Sequence, residues 1–275
     1  NGARITGVAE RFAGLGVPAD SVVTINDVHF TGIQARGTAA LSNGGTLRLV
    51  RTTISNSFGE FCGRVVCQVG WALDNGFNAT LMLENVTIAS NGKALSSIGD
   101  LALTNSTIAR NSIGLKAQGR ATAVNTIIAG NDEDCGVDTL ESLGHNLDGD
   151  GSCGFDQPTD LPGANPRLGA FGDHGGAVPT VALGANSPAI DAGAPETCSL
   201  VDGRGFVRAY GPNWDCDIGA YEHDGRTSGI QPALTATWFD VREDGHFFNI
   251  QVLDGDRDEV LVHWNAFDEN GDHLW

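Results

Sequence analysis

TLMLENVTIASN (80–91), DLALTNSTIARN (100–111) and RATAVNTIIAGN (120–131) align without gaps at a spacing of twenty residues. Ile88, Ile108 and Ile128 recur in one column, Leu81, Leu101 and Ala121 in a second, and Leu83, Leu103 and Ala123 in a third. Two polar columns accompany them, Asn85, Asn105, Asn125 and Asn91, Asn111, Asn131. A fixed period near twenty is the signature of stacked supersecondary units rather than one globular core. Within each copy apolar and polar residues alternate for about eight positions and then break at Asn, Gly or Ser, which predicts a strand followed by a turn. The copies predict rungs of a solenoid of parallel strands.

Working outward, VVTINDVHFTG (22–32) places Phe30, Ile25 and Asp27 in the Ile88, Leu83 and Asn85 columns, and TLRLVRTTISNS (46–57) places Ile54, Leu49 and Arg51 there. The longer separations between these early rungs predict loops leaving the solenoid. Residues 1–20, with AERFAGLGVPAD, are expected as a cap or partial rung, because an uncovered end rung is an open strand edge. The Asn columns predict stacked amides, each bonding the rungs above and below at about 4.8 Å, and left-handed corners that Asn tolerates. Asn85-Val-Thr and Asn105-Ser-Thr also match the short N-glycosylation pattern, but recurrence in register favours the structural role.

Composition agrees with a narrow solenoid: 38 Gly serve many turns, while aromatics make up only 7%. With 16 basic against 34 acidic residues the formal charge is −18, which argues against nucleic acid or anionic membrane as partner. No apolar run is long enough for a transmembrane helix. The opening NGARITG has no signal-peptide pattern and is expected to follow processing or truncation. Six cysteines fall as near neighbours, Cys62/Cys67, Cys135/Cys153 and Cys198/Cys216, with no C-x-x-C spacing, so disulfides in an oxidising compartment are expected rather than zinc.

The insertion SFGEFCGRVVCQVGWALDNGFNA (57–79) is expected to project as a hairpin clipped by Cys62–Cys67. Glu60, Arg64, Trp71 and Asp74 there form a candidate glycan-binding surface, beside the plainer reading in which Trp71 packs on the wall and the charges are solvated. Asp148, Asp150 and Asp156 are candidate Ca²⁺ ligands, but the full D-x-D-x-D-G-x5-E loop is missing, and a solvated turn is the stronger reading; no other cofactor is expected. Asp173-His174-Gly175 and Asp202-x-Arg204 suggest acid–base groups, yet their Gly-rich surroundings suggest that Asp173 and Asp202 fix turns.

GHNLDGDGSCGF (144–155), GDHGGAVPTVAL (172–183), NSPAIDAG (186–193), DGRG (202–205) and CDIGAYE (216–222) resemble the closing segment of bacterial right-handed parallel β-helix surface proteins with a choice-of-anchor Q domain. The resemblance implies an all-β, right-handed parallel β-helix over residues 21–225, irregular from about 132, secreted or attached to the bacterial cell surface. It implies no catalytic residue. From residue 229, alternation around Phe248, Ile250 and Val252, and again around Val260, Val262 and Trp264, predicts an antiparallel β-meander over 229–275. The meander resembles a C-terminal repeat of secreted bacterial proteins and is expected to be cut short at Trp275.

The expected function is a non-catalytic extracellular or cell-surface module (adhesin, spacer or carbohydrate-facing surface) with glycans or other surface proteins as partners. The alternative is a polysaccharide lyase or glycoside hydrolase, since fold alone supplies no function. A hydrolase needs two carboxyls roughly 5–10 Å apart. The rungs offer Asp27, Glu84 and Asp100 but no column of acids, and no acidic cluster stands in register beside Arg48, Arg51, Arg110, Lys93 or Lys116. An array of flat Thr columns is a further rival, with Thr87 and Thr107 stacked but Ile127 next to them. The cysteine pairing is checked by peptide mapping without reduction: each bridge should close one local loop, and a peptide joining Cys67 to Cys135 would refute the pairing.

Overall fold

The computed structural model describes residues 3–9, 15–36, 39–62, 67–137, 140–208, 216–223, 236–239, 247–253, 259–267 and 273–274. Two compact units divide the chain, residues 1–227 and 228–275. In the first unit about six coils stack into a parallel β-helix with three faces. Strands Val22–Asn26, Thr46–Val50, Thr80–Glu84, Asp100–Thr104, Ala121–Val124 and Glu141–Ser142 form the first face. The second face is built on Val28–Arg36, Thr53–Ser55, Thr87–Ala89, Thr107–Ala109, Ile127–Ala129 and Leu147–Asp148. Leu15–Val17, Ala39–Asn43, Trp71–Asn75, Lys93–Ser97, Ile113–Ala117 and Glu133–Val137 form the third.

The alternation expected as one strand is therefore two, bent at an Asn, and the third face lies between the repeated phrases. Register follows the columns: Phe30 pairs with Ile54, Ile54 with Ile88, Ile88 with Ile108, and Ile108 with Ile128, all inside the coil. Leu81, Leu101 and Ala121 stack likewise. Two left-handed corners flank each three-residue strand of the second face. Asp27, Arg51, Asn85, Asn105 and Asn125 occupy the first, with φ between 44° and 57°, and Asn56, Ser90, Arg110 and Gly130 the second. The third corner needs close approach instead: a Cβ on Gly119 would stand 2.3 Å from the Gly99 carbonyl of the coil before, so that corner excludes a side chain.

The two Asn columns differ. Asn91 Nδ2 donates to Asn111 Oδ1 at 3.1 Å, and Asn111 Nδ2 to Asn131 Oδ1 at 2.9 Å, the expected amide ladder. Backbone N–H groups of the same positions follow: Ser57 to Asn91 Oδ1, Asn91 to Asn111 Oδ1, Asn111 to Asn131 Oδ1. A second ladder, which the repeat did not announce, runs Asn43 to Asn75 to Ser97 below the third corner. Asn85, Asn105 and Asn125 do not stack with one another. Their amides donate to the returning chain, at Val201 O, Thr197 O and Ala194 O. Both glycosylation-pattern asparagines are thus buried and bonded.

That returning chain explains why the second face is buried on both sides. A hairpin of Leu168–Gly172 and Thr180–Leu183 lays Leu168, Phe171 and Val181 over Ala89 and Ala109. Thr53 donates to Pro179 O, and Thr107 Oγ1 accepts the Ala220 N–H, so the Thr column lies beneath this cover and is not an exposed array. Of the three expected bridges, Cys135–Cys153 and Cys198–Cys216 are present; Cys62 stands opposite Cys67 in antiparallel register, with both side chains outside the described ones. Phe155 and Cys153 plug the far end of the core. At the near end Ala3–Ala9 and Leu15–Val17 pair as rungs, the second of the two alternatives expected for residues 1–20; residues 10–14 lie outside the described ones.

In the second unit four antiparallel strands, Ala236–Phe239, Phe247–Leu253, Glu259–Phe267 and His273–Leu274, pair in chain order as a meander. For the coils, Ile108→Ala should lower unfolding free energy by about 2–5 kcal/mol, as truncations of buried aliphatics do. Asn111→Ala should cost about 1–3 kcal/mol for the partners it strands. Denaturant titration checks both, and an unchanged midpoint for Ile108→Ala would contradict the register.

Candidate functional site

The amide ladder has to end somewhere, and it ends in a cleft. Beyond Asn131 no further Asn follows in the column. Asp134 takes its place, with Oδ1 accepting both the backbone N–H and the Nδ2 of Asn131 at 3.0 and 2.9 Å. Its other oxygen accepts the Gly149 N–H at 2.9 Å. Asp150 lies next to it, accepting from Ser152 N at 2.9 Å and from Asp134 N at 3.3 Å. Arg110, at the second corner one coil earlier, reaches over to donate to Gly169 O. With Asn165, Pro166 and Leu168 of the returning chain these residues line a cleft of about 480 Å³.

The two carboxylates are held differently. Burial pushes the Asp134 carboxyl above its ordinary value, against the opposing effect of the Asn131 and Gly149 donors, and its side chain is only 2% exposed. Asp150 is shallowly buried, which opposes ionisation, but its bonds from Ser152 and Asp134 outweigh that and lower it. A raised and a lowered carboxyl side by side are the pattern of acid–base pairs. Here, however, both oxygens of the raised one already face N–H donors.

The residues expected from the sequence do not share this cleft. Glu60 is exposed on Phe58–Cys62, the first strand of the expected hairpin, while Arg64 lies outside the described residues. Trp71 and Asp74 do not project with it; they are on the third-face strand Trp71–Asn75, in register with Lys93 and Ser96. Trp71 is half-buried, with Lys93 Nζ 5.6 Å from its ring centroid. The insertion was expected over all of 57–79, whereas the fold takes Trp71–Asn75 as a rung, which agrees with the plainer reading of Trp71 on the solenoid wall.

Asp148, Asp150 and Asp156 do not converge as cation ligands. Asp148 is buried and accepts Cys153 N and Gly163 N, Asp150 is engaged as above, and exposed Asp156 accepts from Gln157 Nε2. Among the described residues no three His, Cys, Asp or Glu side chains gather as metal ligands. Asp173 and Asp202 fix turns as expected, through Gly175 N and through Arg204 N and Phe206 N. Around Asp202 a buried ionic lock forms: Arg204 lies 2.7 Å from it, between the rings of Phe206 and Tyr221, and Arg208 pairs with Glu222 at 3.1 Å and donates to Asn85 Oδ1. Gly219 must be glycine in this lock, with φ 102° and Thr107 Oγ1 2.7 Å from any Cβ.

Arg110, Asp134 and Asn165 were not read as partners from the sequence. Arg110 was expected to lack acidic neighbours in register, which holds along the repeat; the acids come from the irregular loop after it. The available signal was the N-D-E-D run at 131–134, where the last ladder Asn is followed by an acceptor. No family model, curated protein or solved structure matches the chain.

Because the folded carboxyl of Asp134 is raised, the native state holds that proton more tightly than the unfolded chain does. Its contribution to stability is therefore full below the ordinary carboxylate value of 3.8 and is lost as pH rises through the raised one. The stability difference between wild type and Asp134→Asn should shift against the wild type over that window. Denaturant titrations of both at acidic and neutral pH check this; a constant difference contradicts the expectation.

Proposed function

We propose that this chain is a non-catalytic extracellular or cell-surface module in which a rigid β-helix carries a recognition surface. The observation that carries the reading is the state of the buried carboxylates. Asp134, Asp148, Asp160 and Asp202 each accept hydrogen bonds on both oxygens, largely from backbone N–H groups, and a carboxylate engaged in this way is a structural acceptor rather than a free acid or base. Two disulfides fit an oxidising compartment, and no described helix is long and apolar enough to cross a membrane. The resemblance of the closing motifs to choice-of-anchor Q surface proteins supports a bacterial surface setting. Glycans or other surface proteins are the partners proposed, and the Glu60, Trp71 and Asp74 region remains one candidate contact surface.

One observation favours the alternative. Arg110, Asp134 and Asp150 line a single cleft, which a lyase or hydrolase would need. Incubation with a polysaccharide panel, with and without Ca²⁺, separates the two readings. The non-catalytic module releases neither unsaturated nor reducing sugars. Release that disappears in Asp150→Asn would establish the enzyme.

A further inference from the structure

The exposed polar groups of the cleft differ from the sealed one. Among the described residues Arg110 uses only one N–H, toward Gly169 O, and Asn165 accepts from Arg167 N while its Nδ2 has no protein partner. Asp150 receives one bond on each oxygen, and a carboxylate has about four acceptor sites, so half remain. These three side chains are solvent-exposed, and each ends in a planar group whose two polar atoms are spaced to meet adjacent hydroxyls. Pro166 and half-buried Leu168 supply an apolar wall between them.

Charge narrows the ligand class. The exposed residues that line the cleft include one guanidinium and one carboxylate, while the chain as a whole carries −18. An anionic ligand gains from Arg110 but is opposed by Asp150 and by the overall field, and an ammonium meets the reverse at Arg110. A neutral polyol with vicinal hydroxyls on one edge and C–H groups on the other satisfies every exposed group. The volume of about 480 Å³ falls within the range of small-molecule pockets, roughly 300–1,000 Å³.

We propose that this cleft binds a neutral pyranose at the end of a glycan, with Arg110, Asp150 and Asn165 taking its hydroxyls and Leu168 and Pro166 its C–H face. The proposal rests on the non-catalytic reading, and the two fail separately: product release sinks that reading with binding intact, and absence of binding sinks this one alone. Among the described residues no aromatic lines the cleft, so affinity comes from hydroxyl bonds and is modest.

The test is a titration of the whole chain with methyl glycosides of glucose, galactose and mannose, beside glucuronate and glucosamine, followed by saturation-transfer NMR. At least one neutral glycoside should bind more tightly than both charged sugars. Asn165→Ala and Arg110→Asn should each weaken it about tenfold, the loss of one charge-assisted or amide bond. Asn is chosen at 110 because that residue holds φ 60°, which Asn tolerates. Lys116→Ala, an exposed change on the third-face strand Ile113–Ala117, should leave binding unchanged. In the wild type, the Asn165 side-chain amide resonance should move with ligand, a readout independent of any variant's folding. Binding of no neutral glycoside, preference for a charged sugar, an unmoved Asn165 resonance, or loss of binding only in Lys116→Ala would overturn the proposal.

Discussion

Parallel pairing in register is the constraint from which the rest of the molecule follows. When Ile88 pairs with Ile108 and Ile108 with Ile128, every atom at a corner faces its own counterpart about 4.8 Å along the axis. Apolar columns satisfy this by simple contact. A buried polar column must be donor and acceptor at once, and the carboxamide is a side chain that is both, with two donor hydrogens. Asn91, Asn111 and Asn131 meet that condition, each donating in one direction and accepting from the other.

A ladder with a direction needs a terminator that accepts and does not donate, and an ionised carboxylate is the acceptor-only side chain. The last coil supplies one where the Asn131 column stops and another where the Asn146 column stops. Asp134 closes the Asn131 column, and Asp160 accepts Asn146 N, whose own Oδ1 accepts Thr126 N. Asp148 takes N–H groups from the loop that plugs the core end. The acidic run after residue 131, which suggests Ca²⁺ or catalysis when read alone, is largely the acceptor end of the stack. Burial of these acids is tolerable because their donors are fixed backbone groups rather than mobile cations.

Much of this was legible in the sequence, and what was not has a physical cause. Ile88 and its equivalents repeat because both neighbours demand the same shape, so the inward columns and the left-handed corners were readable. The third face escaped because its strands, Lys93–Ser97, Ile113–Ala117 and Glu133–Val137, share inward Leu95, Leu115 and Cys135 but vary outward. Trp71 was assigned to a loop for the same reason. The fate of Asn85, Asn105 and Asn125 depended on a chain segment about seventy to over a hundred residues away, which no local pattern encodes. The cleft joins a repeat residue, Arg110, to a loop outside the repeat, and periodicity carries no information about such a junction.

The returning chain binds these levels together. Its Arg204 and Arg208 are buried beside Asp202 and Glu222, and an ion pair removed from water is stabilising only if its remaining polar atoms are also met. Most of those atoms are met by the coils and by the closing motifs themselves: Arg208 donates to Asn85 Oδ1 and Gly219 O, and Arg204 to Glu222 O, while Arg208 Nε has no partner among the described residues. The segment can therefore seat only on a stack whose corner amides face outward at this spacing. Its seating in turn brings Asn165 and Leu168 against Arg110 and the ladder's terminal acid, so the cleft exists as a consequence of how the stack is closed.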